Sequence, residues 1–270
     1  MIELPTERSK VENYNPKMLI IGGKPKAGKS SFIAAIDDNL IIDLEDGYRS
    51  LPVMKVQARK VQDLEEIREA IIAKGRELKR APYRFITIDN ATRLEEMSIV
   101  LANQLYRDTP MGSQWGYLKD KNGMLIKDSK TGKFIIDPKA DVRMLPNGGG
   151  YLYTRKAIRK LIDMFKPLCE TLILVTHIKD KTIKRDNEEV SEMSIDLAGK
   201  LSDIVCGEAD AIGMIYRKGN KTYLTFEGGD NTIREARPLH LRGKKFLIAE
   251  SNENNEVKFT TSGIFLDESK

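Results

Sequence analysis

The chain has 270 residues, 40% of them hydrophobic and 31% charged, with a formal net charge of +5. That length buries one full core, or one core with a substantial insertion, and the composition excludes a disordered chain. No apolar run approaches the ~18 residues of a membrane helix, Cys169 and Cys206 lack metal-ligand spacing and read as idle thiols of a reducing compartment, and His177 and His240 are too few for a His-based metal centre.

Residues 1 to about 16 form a polar lead-in without the layout of a secretory signal, so a cytoplasmic location is expected. Met18-Leu19-Ile20-Ile21 is the first strand. Behind it, Gly23-Lys24-Pro25-Lys26-Ala27-Gly28-Lys29-Ser30 fits G-x-x-x-x-G-K-[ST], and Ser31 to Ile36 leads out as a helix. Strand, loop and helix in that order make a phosphate-binding loop. Its successive backbone N–H groups, through Ser31, can point at an anion, and the helix adds its positive end. Lys29 is placed to reach β- and γ-phosphates, and the Ser30 hydroxyl to ligate Mg²⁺.

Asn39 to Asp43 is a second strand and Val53 to Val56 a short third. Val61 to about Arg80 is a long helix, with Leu64, Ile67, Ile71 and Leu78 close to helical spacing. Arg84 to Asp89 is the next core strand and Thr92 to Tyr106 the next helix. Residues 107–150 break the rhythm as an insertion, with an apparent hairpin of Met124–Ile126 and Phe134–Ile136, ending at Pro146-Asn147-Gly148-Gly149-Gly150. A helix from Tyr151 to Phe165 and a buried strand from Leu172 to Thr176 follow. After a charged stretch from Lys179 to Glu192, Asp210–Tyr216 and Thr222–Phe226 flank Gly219-Asn220 as antiparallel strands. The expected fold is α/β, one domain over 1–270. It has a mostly parallel central sheet, helices on both faces and a C-terminal antiparallel extension.

A nucleotide hydrolase needs a second acid at the end of a neighbouring strand, where open α/β sheets bind ligands. Asp89 sits there, either in the Mg²⁺ shell or as a cap for the helix starting near Thr92. Glu45 follows the second strand, where a carboxylate can orient or deprotonate the attacking water; on residue grounds Asp43 and Asp46 are open to the same role. Thr176 and His177 end a later strand, as γ-phosphate sensors or as hydrogen-bonded surface groups.

The phosphate loop, Asp43-Leu44-Glu45, Asp89 and Thr176-His177, each after a core strand, resemble the RecA-type ATPase core. More narrowly, the chain resembles compact RecA-like P-loop ATPases of bacteriophages, of the AAA type, some of which act as Sak-type single-strand annealing or recombination proteins. Gly149-Gly150-Tyr151 before a helix and Arg237-Pro238-Leu239-His240-Leu241 carry that narrower likeness, which spans roughly residues 15–250. The resemblance implies ATP and Mg²⁺ as cofactors, Glu45 as the water-activating base, a homo-oligomeric ring or filament, and a single-strand binding protein as a further partner. It places single-stranded DNA against loops after the core strands, first the segment with Lys179, Lys181, Lys184 and Arg185. Such cations give salt-dependent binding. Base-stacking aromatics are absent from that segment, and Trp115 and Tyr117 are the suppliers nearest to hand. Asp186, Glu188, Glu189 and Glu192 follow immediately and repel phosphate.

The chain departs from the family in lacking a separate N-terminal domain and in carrying the 107–150 insertion. Arg234, Arg237 and Lys244 are candidates for a trans-acting finger. The rival readings are a motor subunit of helicase or packaging type, a GTPase-like switch acting through protein partners, and a non-enzymatic protein that keeps ATP as a structural ligand. The switch has to contend with His177-Ile178-Lys179-Asp180, which lacks the asparagine of N-K-x-D.

Overall fold

Strand β1 (Met18–Gly23) is buried along its whole length. Its alternating side chains therefore serve two cores. Met18 and Ile20 belong to one apolar cluster, Leu19 and Ile21 to the other. The computed structural model in which this is seen describes residues 6–8, 10, 12–185, 188–252 and 257–267, and leaves the side chains of 183–190 undescribed.

From β1 the chain runs through α1 (Lys29–Ala34), β2 (Asn39–Asp43), β3 (Lys55–Gln57), α2 (Val61–Leu78), β4 (Phe85–Asp89) and α3 (Ala91–Arg107). It resumes regular structure with α4 (Gly150–Asp163), β5 (Thr171–Thr176), β6 (Ile178–Arg185), β7 (Glu188–Ile195), α5 (Leu201–Glu208), β8 (Ala211–Lys218) and β9 (Lys221–Thr225). The short β10 (Glu235–Ala236), β11 (Lys245–Ser251) and β12 (Val257–Phe259) complete it. The main sheet has the order β12-β11-β9-β8-β1-β5-β4-β2-β3. All pairings from β8 to β3 are parallel, and β9, β11 and β12 add on antiparallel. This is the mostly parallel sheet with a C-terminal antiparallel extension expected of a RecA-like core. Side chains of α2, α3, α4 and α5 fill one face, while α1 and the C-terminal segments fill the other. Among the described residues no helix is long and apolar enough to cross a membrane.

Two segments depart from the sequence reading. The charged stretch after Thr176 is not a loop: β6 and β7 pair antiparallel as a separate two-stranded sheet. Lys181 stands opposite Glu192, Lys184 opposite Glu189 and Arg185 opposite Glu188, so cross-strand opposite charges replace the apolar alternation by which strands are recognised. In the insertion, the 124–126 and 134–136 segments do meet, Ile135 N–H donating to Ile126 O, and residues 117–119 join both as a third segment. Leu118 N–H donates to Ile135 O, and Ile126 N–H to Leu118 O. The eight residues of α5, too short for a clear helical repeat, and strands β10 to β12 were not anticipated.

The insertion leaves from α3 and returns at α4, helices that pack on one another. Asn103 of α3 anchors the return, donating to Ala140 O and accepting from Val142 N–H, and Val142 is fully buried. Gly150, the first residue of α4, lies so close to this turn that a Cβ there would sit 1.6 Å from Val142 O. A Cβ at Gly149 would meet only Pro146 O, at 3.5 Å. Gly150→Ala should therefore destabilise the protein by about 3 kcal/mol, the upper end of the usual cost of overpacking, whereas Gly149→Ala should leave stability near wild type. Urea denaturation of both variants checks the pair, and equal stability of the two would contradict the packing account.

Candidate functional site

The parallel strands end at one edge of the sheet. Gly22 of β1 is in register with Thr176 of β5, Gly23 with Ile215 of β8, and Asp43 of β2 with Asp89 of β4. Residues following these positions face one cleft of about 300 Å³. It is lined by Pro25, Lys26, Gly28, Lys29, Ser30 and Ser31 on the loop side, and by Asp43, Glu45, Gly47, Tyr48, Asp89, His177 and Arg217 opposite.

The loop closes on itself through Lys24 O, which accepts from both Ala27 N–H and the Lys29 amine. Gly28 holds φ at 102°, where a side chain would be strained, and α1 begins after it without a side-chain cap. Lys29 is 8% exposed. Its Nζ donates to Gly23 O at 2.9 Å and Lys24 O at 3.0 Å, and lies 3.4 Å from His177 Nδ1. Burial lowers the pKa of this amine, while Asp89 and Glu45 nearby pull it back up.

The carboxylates after β2 separate by what they already hold. Asp43 accepts from the backbone N–H groups of Glu45 and Gly47, both at 3.1 Å, and organises the turn. Asp46 is taken by Arg49 and Lys55. Glu45 is exposed in the cleft, and its carboxylate has no hydrogen bond or ion pair among the described residues. Asp89 is 9% exposed and accepts from the Tyr48 hydroxyl at 2.5 Å. Burial pushes its pKa up to about 6; the Tyr48 bond and Lys29 lower it, and Glu45 and Asp43 raise it. The Tyr48 phenol, itself buried beside Asp89, is pushed upward too, with the nearby Ser30 side chain opposing the shift. Asn90, not Asp89, caps α3, its side chain accepting from Arg93 N–H at 2.9 Å.

Gly23, Lys24 and Ala27 shape the loop from behind. Thr176 is buried and turns its hydroxyl onto His177 O at 2.9 Å, away from the cleft. Lys179 pairs with Asp196 at 3.3 Å and donates to Leu197 O, and Lys181 pairs with Asp203 at 3.4 Å. The side chains of Lys184 and Arg185 lie outside the described residues. Arg237 is held by Asp210 and Arg234 by Thr232. Trp115 packs edge-on against Tyr106 beneath the insertion, whereas Tyr117 sits beside Phe134 on the insertion itself. Tyr48 and Arg217 were missed. No local pattern marks Tyr48, but Arg217 follows directly on a predicted strand at the active edge.

The arrangement can bind an anion through loop N–H groups and Lys29, and a hard cation through oxygen donors. Ser30 Oγ and the Asp89 carboxylate suit Mg²⁺, which takes one or two protein oxygens and completes its shell with water and phosphate. Among the described residues no cluster of three or more His, Cys, Asp or Glu side chains could hold a metal alone. A wider groove of about 720 Å³ between α2 and α4 is lined largely by charges of both signs, and its Arg159 and Asp163 are held by Glu208 and Lys166.

The model of a family described as AAA domain matches residues 15–237. No curated protein matches the sequence. Among solved structures, the chain is similar to the RadB recombinase at 10% identity over 92% of each chain, with a TM-score of 0.43. It is also similar to a KaiC-like protein from Pyrococcus horikoshii OT3 at 11% identity, over 92% of this chain and 91% of that one, with a TM-score of 0.44.

The Tyr48–Asp89 bond stabilises the ionised carboxylate. Tyr48→Phe should therefore raise the Asp89 pKa above about 6, measured by carboxyl ¹³C NMR titration of the ligand-free protein. An unchanged value would show that the Tyr48 bond does not contribute to it.

Proposed function

The chain belongs to the AAA domain family, and on that premise we propose that it is a RecA-like P-loop ATPase, one domain with an insertion at about 107–150, that acts on single-stranded DNA in phage recombination, annealing or repair. The observation that carries the ATPase reading is the convergence of Lys29, Ser30, Asp89 and Glu45 on one cleft from three different strand ends. Within the loop Gly23 to Ser31, the N–H groups of the cleft-lining residues Lys26 and Gly28 to Ser31, with the Lys29 amine, hold the β- and γ-phosphates of ATP. Ser30 and Asp89 hold Mg²⁺, which when bound neutralises phosphate charge. Glu45, exposed and unengaged, orients the attacking water and takes its proton. His177, 3.4 Å from the Lys29 amine, is close enough to respond to the γ-phosphate.

The DNA part rests on the family likeness and on the net charge of +5. In this reading the protein assembles as a ring or filament, works in the host cytoplasm, and meets a single-strand binding protein on the same DNA. A second reading, a motor or switch NTPase acting through protein partners, is favoured by one observation: Lys179 and Lys181 of the hairpin are already paired with Asp196 and Asp203.

Turnover of ATP and GTP by the pure protein, with and without single-stranded DNA at low and moderate salt, separates the two. The proposal expects ATP-selective turnover that rises with DNA and weakens with salt. Indifference to DNA favours the second reading. Lys29→Ala should abolish hydrolysis. Glu45→Gln should bind ATP like wild type but turn over 10²- to 10⁴-fold more slowly, roughly the contribution of a positioned base; normal turnover would remove Glu45 from that role.

A further inference from the structure

Arg217 is the cation that the C-terminal part of the chain brings to the cleft. Strand β8 runs parallel to β1 with Ile215 opposite Gly23, so Arg217 lies just past the point where β1 gives way to the phosphate loop. Side chains two apart on a strand share a face. Ile215 packs in the cluster that holds Phe32 and Ile33 of α1, whereas Met214 packs in the opposite one. Arg217 therefore leaves the sheet on the side of the loop and α1. Its Nη2 lies 3.8 Å from the position a Cβ on Gly28 would take.

Several other arginines are held by carboxylates, Arg84 by Glu170, Arg143 by Asp141 and Arg237 by Asp210. The Arg217 side chain is exposed and has no hydrogen bond or ion pair among the described residues, although Glu45 and Asp89 line the same cleft. With Lys26 and Lys29 it makes three cations beside the phosphate loop. A guanidinium fork matches phosphate oxygens in pairs, so an exposed, unpaired arginine beside the phosphate loop is suited to a bound phosphate.

The geometry points to Arg217 as a catalytic arginine supplied in cis, touching the terminal phosphate of the bound triphosphate and taking up the charge that grows on its oxygens during transfer. This rests on the nucleotide-site reading above. It makes the role independent of a neighbouring subunit, unlike a finger drawn from Arg234, Arg237 or Lys244.

The test compares Arg217→Ala, Arg217→Lys, Lys29→Ala and the wild type for ATP turnover and for binding of fluorescent ADP. Arg217→Ala should lose on the order of 100-fold in kcat, the scale of one lost charge-stabilising donor, with ADP affinity retained, and Arg217→Lys should recover part of the loss. Adding excess Lys29→Ala protein, which still carries Arg217, should not rescue Arg217→Ala. Rescue would overturn the cis assignment. Wild-type turnover by Arg217→Ala alongside an inactive Lys29→Ala would overturn this inference alone, and loss of ADP binding in both Arg217 variants would reduce the residue to a structural role. Absence of nucleotide binding by the wild type would overturn the site reading itself, and this inference with it.

Discussion

The parallel pairing of β1 with β5 and β8 is the constraint from which the cleft follows. It brings Gly23, His177 and Arg217 to one edge from segments almost 200 residues apart in the chain, and the pairing of β2 with β4 brings Asp43 level with Asp89. Parallel strands are stable here because both faces are covered. The four helices on one side and the mixed α1 and C-terminal packing on the other are thus conditions of the site as well as of the core. Close approaches keep the strands in place: a Cβ at Gly23 would fall 2.8 Å from Ile215 O.

The cleft concentrates unfavourable electrostatics. A buried amine has its pKa lowered, and a buried carboxylate beside two other acids has its pKa raised to about 6. Desolvated groups with partners this incomplete cost stability, and perturbed ionisation of this kind gathers at functional sites. An anion on the loop and a divalent cation at Asp89 would relieve both. Tyr48 tempers the cost meanwhile, donating its hydroxyl to Asp89.

The β6–β7 hairpin is tied to this site at its base. Asp196 N–H donates to His177 O, Thr92 donates to Asp196 O, and Ala198 N–H donates to the buried Glu95 carboxylate of α3. The hairpin thus springs from His177, just past β5, and is strapped to the helix that follows Asp89 of β4. The insertion is built differently. Its aspartates are spent on its own turns, Asp120, Asp128 and Asp137 accepting nearby backbone N–H groups, and its attachment to the core runs through Asn103, Val142 and Gly150.

The phosphate loop, the apolar core strands and the long helices were legible in the sequence because each depends on neighbours a few residues away: a glycine pattern after a strand, a run of Ile and Leu, a helical repeat. Asp89 and Glu45 were legible as strand-end acids for the same reason. Which of these acids are already engaged was decided only by the tertiary structure, since Asp43 holds turn N–H groups, Asp46 holds Arg49, and Asn90 rather than Asp89 caps α3. Tyr48 reaches Asp89 across 41 residues, Arg217 reaches the loop through strand order, and the hairpin sets oppositely charged residues in register across its two strands. Local pattern carries none of these, because each is an interaction between residues that only the folded sheet makes neighbours.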